Sequence, residues 1–291
     1  MQPVVRAPLK RRGRAEAIAA AEAARAAAAT AAPSPVSATA APIHAHAPAP
    51  RLQLAPVATT ITPGTGERAI VVARYREDIE WLRPFAADCV VYNKCPQDAG
   101  VALLPGCAAQ ITLPNVGREA HTYITYIITH WRTMPPRLVF IQGRISDHPN
   151  GSTPAMQNRL FNNHADASPG GEPLPREFWE DRRIPEWPLG CPLAPADMPL
   201  GPWWRAHVSP TIVPSYIVWY GAIFAASRRR VRSVPLRVWK RLLDTVSHDN
   251  APEAAHFLER AWHSLMTQFP LRTDADADAD VDADADAGMG A

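Results

Sequence analysis

Four short apolar runs, "RAIVVARY", "DCVVYNK", "QITLPNV" and "RLVFIQG", fall within residues 68–143 and are separated by stretches with helical spacing or turn residues. This pattern constrains the chain more than any other feature. Runs of β-branched and apolar residues without polar alternation suit strands buried on both faces. Such strands alternating with helices give an α/β layered domain, with a mostly parallel sheet flanked by helices. After the first run, "EDIEWLRPF" reads as a brief helix ended by Pro84. After the third, Ile124, Ile127, Ile128 and Trp131 recur at helical spacing and make an apolar stripe that faces a core.

Beyond Gly143 the pattern loosens. "PAMQNRLFNNH" reads as helical, and residues 165–214 are rich in Pro, Gly and Trp, with Trp179, Trp187, Trp203 and Trp204 among them. Two readings stand side by side: a Pro-stiffened wrap stapled by tryptophans, or a lid over an acceptor site. "SYIVWYGAIFAAS" is strand-like with a break at Gly221, and "RRRVRSVPLRVWKRLLDTV" is a basic turn leading into a helix, with Pro235 suited to its first turn. "PEAAHFLERAWHSLMTQF" closes the domain as an amphipathic helix, with Leu258, Ala261, Trp262, Leu265 and Phe269 inward. His256, Glu259 and His263 share another stripe of that helix, and their spacing is not that of a zinc protease. A polar solvent face is expected there.

The two ends have a different grammar. Residues 1–67 are mostly Ala and Pro with Thr and Ser, and residues 271–291 are nearly pure Asp-Ala alternation. Segments so poor in large apolar side chains cannot offset the entropy of ordering, so both are expected to be disordered around a folding unit at 68–270. Charge is segregated in the same way: +5 over residues 1–66, +3 over the core and −6 over the tail, which sums to the net charge of +2. A near-neutral core argues against a dedicated nucleic-acid binder. The tail also lacks the Gly and bidentate Glu of a calcium loop. The most hydrophobic arm segment, "AEAIAAAEAARAAAATAA", carries Glu16, Glu22 and Arg25, so no membrane span is expected. There is no secretory signal, and "RAPLKRRGR" reads as a basic arm before it reads as a nuclear-type cluster or a transit peptide. A soluble, intracellular protein, cytoplasmic or nuclear, is the expectation. Cys89, Cys95, Cys107 and Cys191 form no CxxC pair and have no zinc-site spacing. Cys89 in "DCVVY" reads as a buried thiol, and a Cys95–Cys107 bridge is left open.

In an open α/β sheet, ligands bind beyond the carboxyl ends of the strands. Those ends carry Arg74 with Tyr75, Asn93 with Lys94, Asn115 with Gly117, and Gln142 with Gly143. Asn115, Gly117, Arg118, Glu119 and His121 crowd the turn into the central helix. Free N–H groups there, together with Arg118, would seat a phosphate or carboxylate. Glu119 is either a base or a first-turn carboxylate that caps the helix. Asp147 and His148, just past the fourth strand, could hold a hard metal or a substrate hydroxyl, and an Asp-His pair is also an ordinary turn. The core has no P-loop, no GxGxxG, no Gly-x-Ser-x-Gly and no Asp-x-Asp.

The blocks "VVARYREDIEWL", "VVYNK", "LPNVGREAHTYI", "VFIQG", "YGAIFAASRRRVRSVPLRVWKRLL" and "FLERAWHSLM", in that order over Ala69–Phe269, resemble a widespread family of domains of unknown function. They are also distantly similar to nucleotide-sugar glycosyltransferases of the GT-A type. That resemblance implies a GT-A-like fold with a diphospho-sugar site at the first strand ends. In this reading Arg74, Lys94 and Arg118 meet the diphosphate, with Asn93, Asn115, Gly117, His121, Gln142 and Gly143 lining the substrate site. Asp147 and His148 hold a divalent cation (Mn or Mg), and Glu119 or Glu259 deprotonates a hydroxyl acceptor. Family members often carry an acidic residue just after the "QG", where this chain has Arg144. Two alternatives follow. One is a non-catalytic binding domain on the same scaffold. The other is nucleic-acid association through residues 1–14 and "SRRRVR", with the acidic tail as an internal competitor; of the partners weighed, nucleic acid is the less favoured.

Overall fold

The computed structural model describes residues 66–146, 161, 171–173, 193–211 and 217–288. The expectations for residues 1–65, for the helix around Phe161 and for Trp179, Trp187 and Cys191 lie outside the described residues, Phe161 itself excepted.

The four apolar runs become β1 (Arg68–Arg74), β2 (Cys89–Asn93), β3 (Ala109–Thr112) and β4 (Arg137–Gln142), followed among the described residues by β5 (Gly171–Pro173), β6 (Ile217–Trp219) and β7 (Phe224–Ser227). The main sheet runs β3-β2-β1-β4-β7, and β5 with β6 forms a separate antiparallel pair. β1, β2, β3 and β4 are mutually parallel, with Ile70 opposite both Cys89 and Val139, while β7 lies antiparallel to β4. Alternate residues of β1 serve opposite layers. Ala69, Val71 and Ala73 face one core, and Ile70 and Val72 face the other. Both layers are dry, which is why the runs read as continuous rather than alternating.

On one face, a 3-10 helix (Glu80–Asp88) brings Ile79, Leu82 and Ala86 onto Ile70, Val72 and Val91. Pro84 lies inside this segment and does not end it, a correction to the sequence expectation. A 3-10 turn uses i→i+3 bonds, so the missing N–H of one proline is easier to absorb than in an α-helix.

The other face is covered by α1 (Arg118–Thr129), α2 (Leu200–His207), α3 (Arg228–Val231), α4 (Leu236–Thr245) and α5 (Glu253–Gln268). α1 packs against β1, α4 and α5, so every residue from Glu119 to Ile127 is buried and the stripe read from sequence is only part of its contact surface. Ile124, Ile127 and Trp131 are inside, whereas Ile128 is only partly covered. Trp203 and Trp204, on α2, are buried on the same core. Cys89, Cys95 and Cys107 are free thiols, so the Cys95–Cys107 bridge left open by the sequence is absent.

Two further expectations are corrected. The Asp-Ala tail forms α6 (Asp274–Gly288) and docks on the domain, with Ala277 fully buried. Its order comes from partners that composition does not reveal: Asp274 and Asp278 pair with Arg232, and the Ala277 carbonyl accepts from the Trp131 indole N–H at 3.0 Å. On α5, His256 and Glu259 are buried rather than solvated, while His263 is intermediate. No helix among the described residues is long and apolar enough to cross a membrane.

Candidate functional site

The strand order fixes where a ligand crevice can lie. The chain builds the sheet outward from β1 through β2 to β3, then returns to add β4 on the other side of β1. The carboxyl ends of β1 and β4 are therefore the topological switch point. Along that edge the sequence-predicted residues follow the strand order, from Asn115 and Gly117 past Lys94 and Asn93 to Arg74, then Gln142 and Gly143.

Much of this edge is tied together internally. The Arg74 guanidinium donates from Nε to the Glu77 carbonyl at 2.8 Å and from Nη1 to Asn93 Oδ1 at 3.0 Å and Asp98 Oδ2 at 2.8 Å. Asn93 also accepts from the Cys95 N–H and donates back to the Cys95 carbonyl. At Gly143 a Cβ would come within 3.0 Å of the Glu77 side chain, and its carbonyl accepts from the Trp81 indole at 2.9 Å. Residues 77–81 thus lie against the β4 end of the crevice. Glu77, Trp81 and Asp98 carried no motif, and nothing in the sequence marked them for this role.

Lys94 is the center of a second group. It is buried, and its ammonium donates to the carbonyl oxygens of Val116, at 2.5 Å, and Arg118. Burial pushes its pKa down to about 7; the Glu119 carboxylate opposes this and Arg118 adds to it. Desolvation therefore outweighs the attraction. The turn that receives it is unusual: Gly117 has φ +62° and Arg118 φ +50°, both left-handed. Gly117 is required twice over, because a Cβ would also collide with the carbonyl oxygen of Val246. Its N–H donates to the Asp249 carbonyl at 2.6 Å, and α1 starts without a side-chain cap, so Glu119 does not close a capping box. Asn115 sits half-buried on the same turn. Arg118, also half-buried, has its Nε 3.7 Å from Glu119.

One turn into α1, His121 is buried and its Nδ1 meets no partner among the described residues. Burial, with the Lys94 charge adding to it, pushes its pKa down to about 3, so the imidazole is neutral. Tyr123 follows, fully buried, and its hydroxyl meets no partner among the described residues. Burial raises its pKa well above the usual phenol value, and Glu119 and Glu259 raise it further. Two carboxylates far apart in sequence thus act electrostatically on one phenol. Tyr123 was missed in the sequence because it reads as one more aromatic residue on an apolar helix.

Glu259 has its own task. Its Oε1 accepts from the Gly221 N–H at 2.8 Å, and Gln142 Nε2 donates to the Gly221 carbonyl at 2.6 Å. The two side chains hold Gly221 at φ 74°, where the chain breaks before β7. Burial would raise the Glu259 pKa, but His256, with its Nδ1 3.6 Å away, Arg260 and the Gly221 N–H together hold it below the usual carboxylate value.

A cavity of about 390 Å³ lies beside the α4–α5 connection, lined in part by Trp203, His207, Arg241, Asp244 and His248. It borders the loop that covers Gly117, since Val246 and Asp249 make those contacts and His248 faces the cavity. Asp147 and His148 lie outside the described residues, and among the described residues no group of three or more His, Cys, Asp or Glu has metal-site geometry.

Compared with known families, residues 70–167 match a family described as "Protein of unknown function (DUF3431)", so the chain contains a region of that type. No curated protein and no solved structure matches the chain. The matched region begins in β1 and includes β2, β3, α1 and β4, with the whole Lys94–Gly117–His121 group.

Proposed function

We propose that the carboxyl edge of the sheet binds a phosphorylated, hydroxyl-bearing ligand of the nucleotide-sugar class, and that the domain is a glycosyltransferase-like enzyme. The observation that carries this reading is the β3-β2-β1-β4 order, with buried Arg74, Lys94, Glu119 and His121 gathered beside its switch point. Arg118 is a half-buried guanidinium on the turn into α1, suited to the diphosphate, and the Lys94 charge lies behind it. Glu119 would accept the proton of an acceptor hydroxyl. The freed oxygen would attack the anomeric carbon, and the bond to the diphosphate would break with its electron pair on the leaving nucleoside diphosphate, opposite Arg118. Glu259, held low and bound to Gly221, fits a positioning role better than that of a base. A divalent cation would fall to Asp147 and His148.

A second reading is a non-catalytic binding domain. Two observations favour it: exposed Arg144 stands where an acidic residue often follows the "QG", and Arg74 is engaged by Asn93 and Asp98. A thermal-shift series of nucleotide sugars with and without Mn²⁺ tests both, since a bound ligand raises the apparent Tm. A shift accompanied by release of nucleoside diphosphate supports the enzyme. A shift without turnover toward any hydroxyl acceptor supports the binding domain, and no shift with any nucleotide sugar rejects both.

A further inference from the structure

We propose that the Arg228–Arg232 face is a binding surface for single-stranded nucleic acid, and that the acidic tail helix α6 occupies it in cis as a stand-in for the phosphate backbone. The residues from Ser227 to Arg241 include Arg228, Arg229, Arg230, Arg232, Arg237, Lys240 and Arg241, without one acidic side chain. The near-neutral total of the core hides this concentration.

What α6 does on this face shows what the face accepts. Asp274 bridges Arg228 and Arg232, with both nitrogen–oxygen distances 2.7 Å, and Asp278 takes the other Nη of Arg232. Asp280 accepts from Arg272 and from the Leu236 N–H at the start of α4, at 3.1 Å. Carboxylates spaced along one strand of chain thus meet guanidiniums and a helix-start amide, donors that suit phosphate oxygens equally well. An aromatic ring sits among these cations. The Arg232 guanidinium lies 5.5 Å over the Trp131 ring, and the Trp131 N–H is taken by the Ala277 carbonyl. With α6 lifted away, an indole beside the Arg232 guanidinium remains. Cations that track a backbone beside a ring that stacks a base are the parts of a single-strand site.

The tail is built to leave. Asp at every second position from Asp274 to Asp286 places like charges four residues apart, which disfavours the isolated helix. The helix is held mainly by pairs whose acidic partners, Asp274 and Asp278, remain about half exposed, and such pairs weaken with salt and yield to a denser polyanion.

The test uses the full-length chain and fluorescence anisotropy of a labelled 20-nucleotide single strand at low salt. Asp274→Asn/Asp278→Asn/Asp280→Asn should tighten binding at least tenfold and steepen its salt dependence. Adding Arg228→Gln and Arg232→Gln should return affinity to the wild-type level or below, with circular dichroism and thermal melting confirming that each variant is folded. Affinity unchanged by the aspartate substitutions overturns the proposal. So does tight binding that survives loss of Arg228 and Arg232, which would place it on the basic arm. Equal competition by a polyaspartate peptide also overturns it, because the face would then be a general acidic-peptide site. A tighter complex with duplex than with single strand counts against the role of Trp131.

Discussion

Gly117 packs so closely on Val246 that a Cβ added to it would lie 2.9 Å from the Val246 Cβ and collide with that residue's carbonyl oxygen. The turn before α1 and the loop after α4 therefore meet backbone to backbone. The glycine serves this contact directly, beyond any role at a ligand. Gly117→Ala is expected to lower stability by about 3 kcal/mol, from left-handed strain and overpacking together. Urea unfolding measures it. A loss under about 0.5 kcal/mol would show that the two loops part easily.

Arg118 follows with φ +50°, a conformation that glycine adopts without strain. Arg118→Gly should hold stability level or raise it by up to about 1 kcal/mol. If Arg118 meets a ligand diphosphate, the same variant should lose binding. Arg118→Lys should recover only part of it, because an ammonium lacks the planar fork of a guanidinium. A variant that unfolds early and still binds a nucleotide sugar normally would reverse this assignment.

Trp131 joins the core to the tail helix, being buried with its N–H on the Ala277 carbonyl. Trp131→Ala should cost about 3–5 kcal/mol, the usual range for removing a buried aromatic. It should also release α6, making the Asp-Ala segment an early site of proteolysis. A stable variant with a protected tail would contradict both parts.

The pH dependence of stability should carry the marks of His121 and Lys94. The unfolded chain protonates His121 as the pH falls through about 6.5, whereas the folded form refuses the proton until about 3. The stability contributed by neutral His121 is complete above the unfolded value and is lost as the pH falls below it. The slope approaches about 1.4 kcal/mol per pH unit. Lys94, lowered to about 7 against 10.5, adds stability as the pH climbs through that interval. Wild type compared with His121→Gln between pH 6.5 and 5, and with Lys94→Met between pH 7 and 10, isolates each slope. Parallel curves would mean that water reaches these groups.

The sequence by itself determined the layered α/β architecture, because β1 to β4 and the inner stripes of α1 and α5 are written in local periodicity. It also located the carboxyl edge, since strand ends show wherever an apolar run meets Arg74, Asn93 or Gln142. Only the tertiary structure decided which of these groups are already engaged. Lys94 donates to carbonyls of a turn 22 residues on, Glu259 to Gly221 spans 38 residues, and Arg232 meets Asp274 across 42. A charged side chain looks the same in sequence whether it is solvated or paired, so His256 and Glu259 read as a solvent face and the tail read as disordered. Their burial depends on partners brought near by the fold. Desolvation and ion pairing are set by that distance in space, which local pattern does not encode.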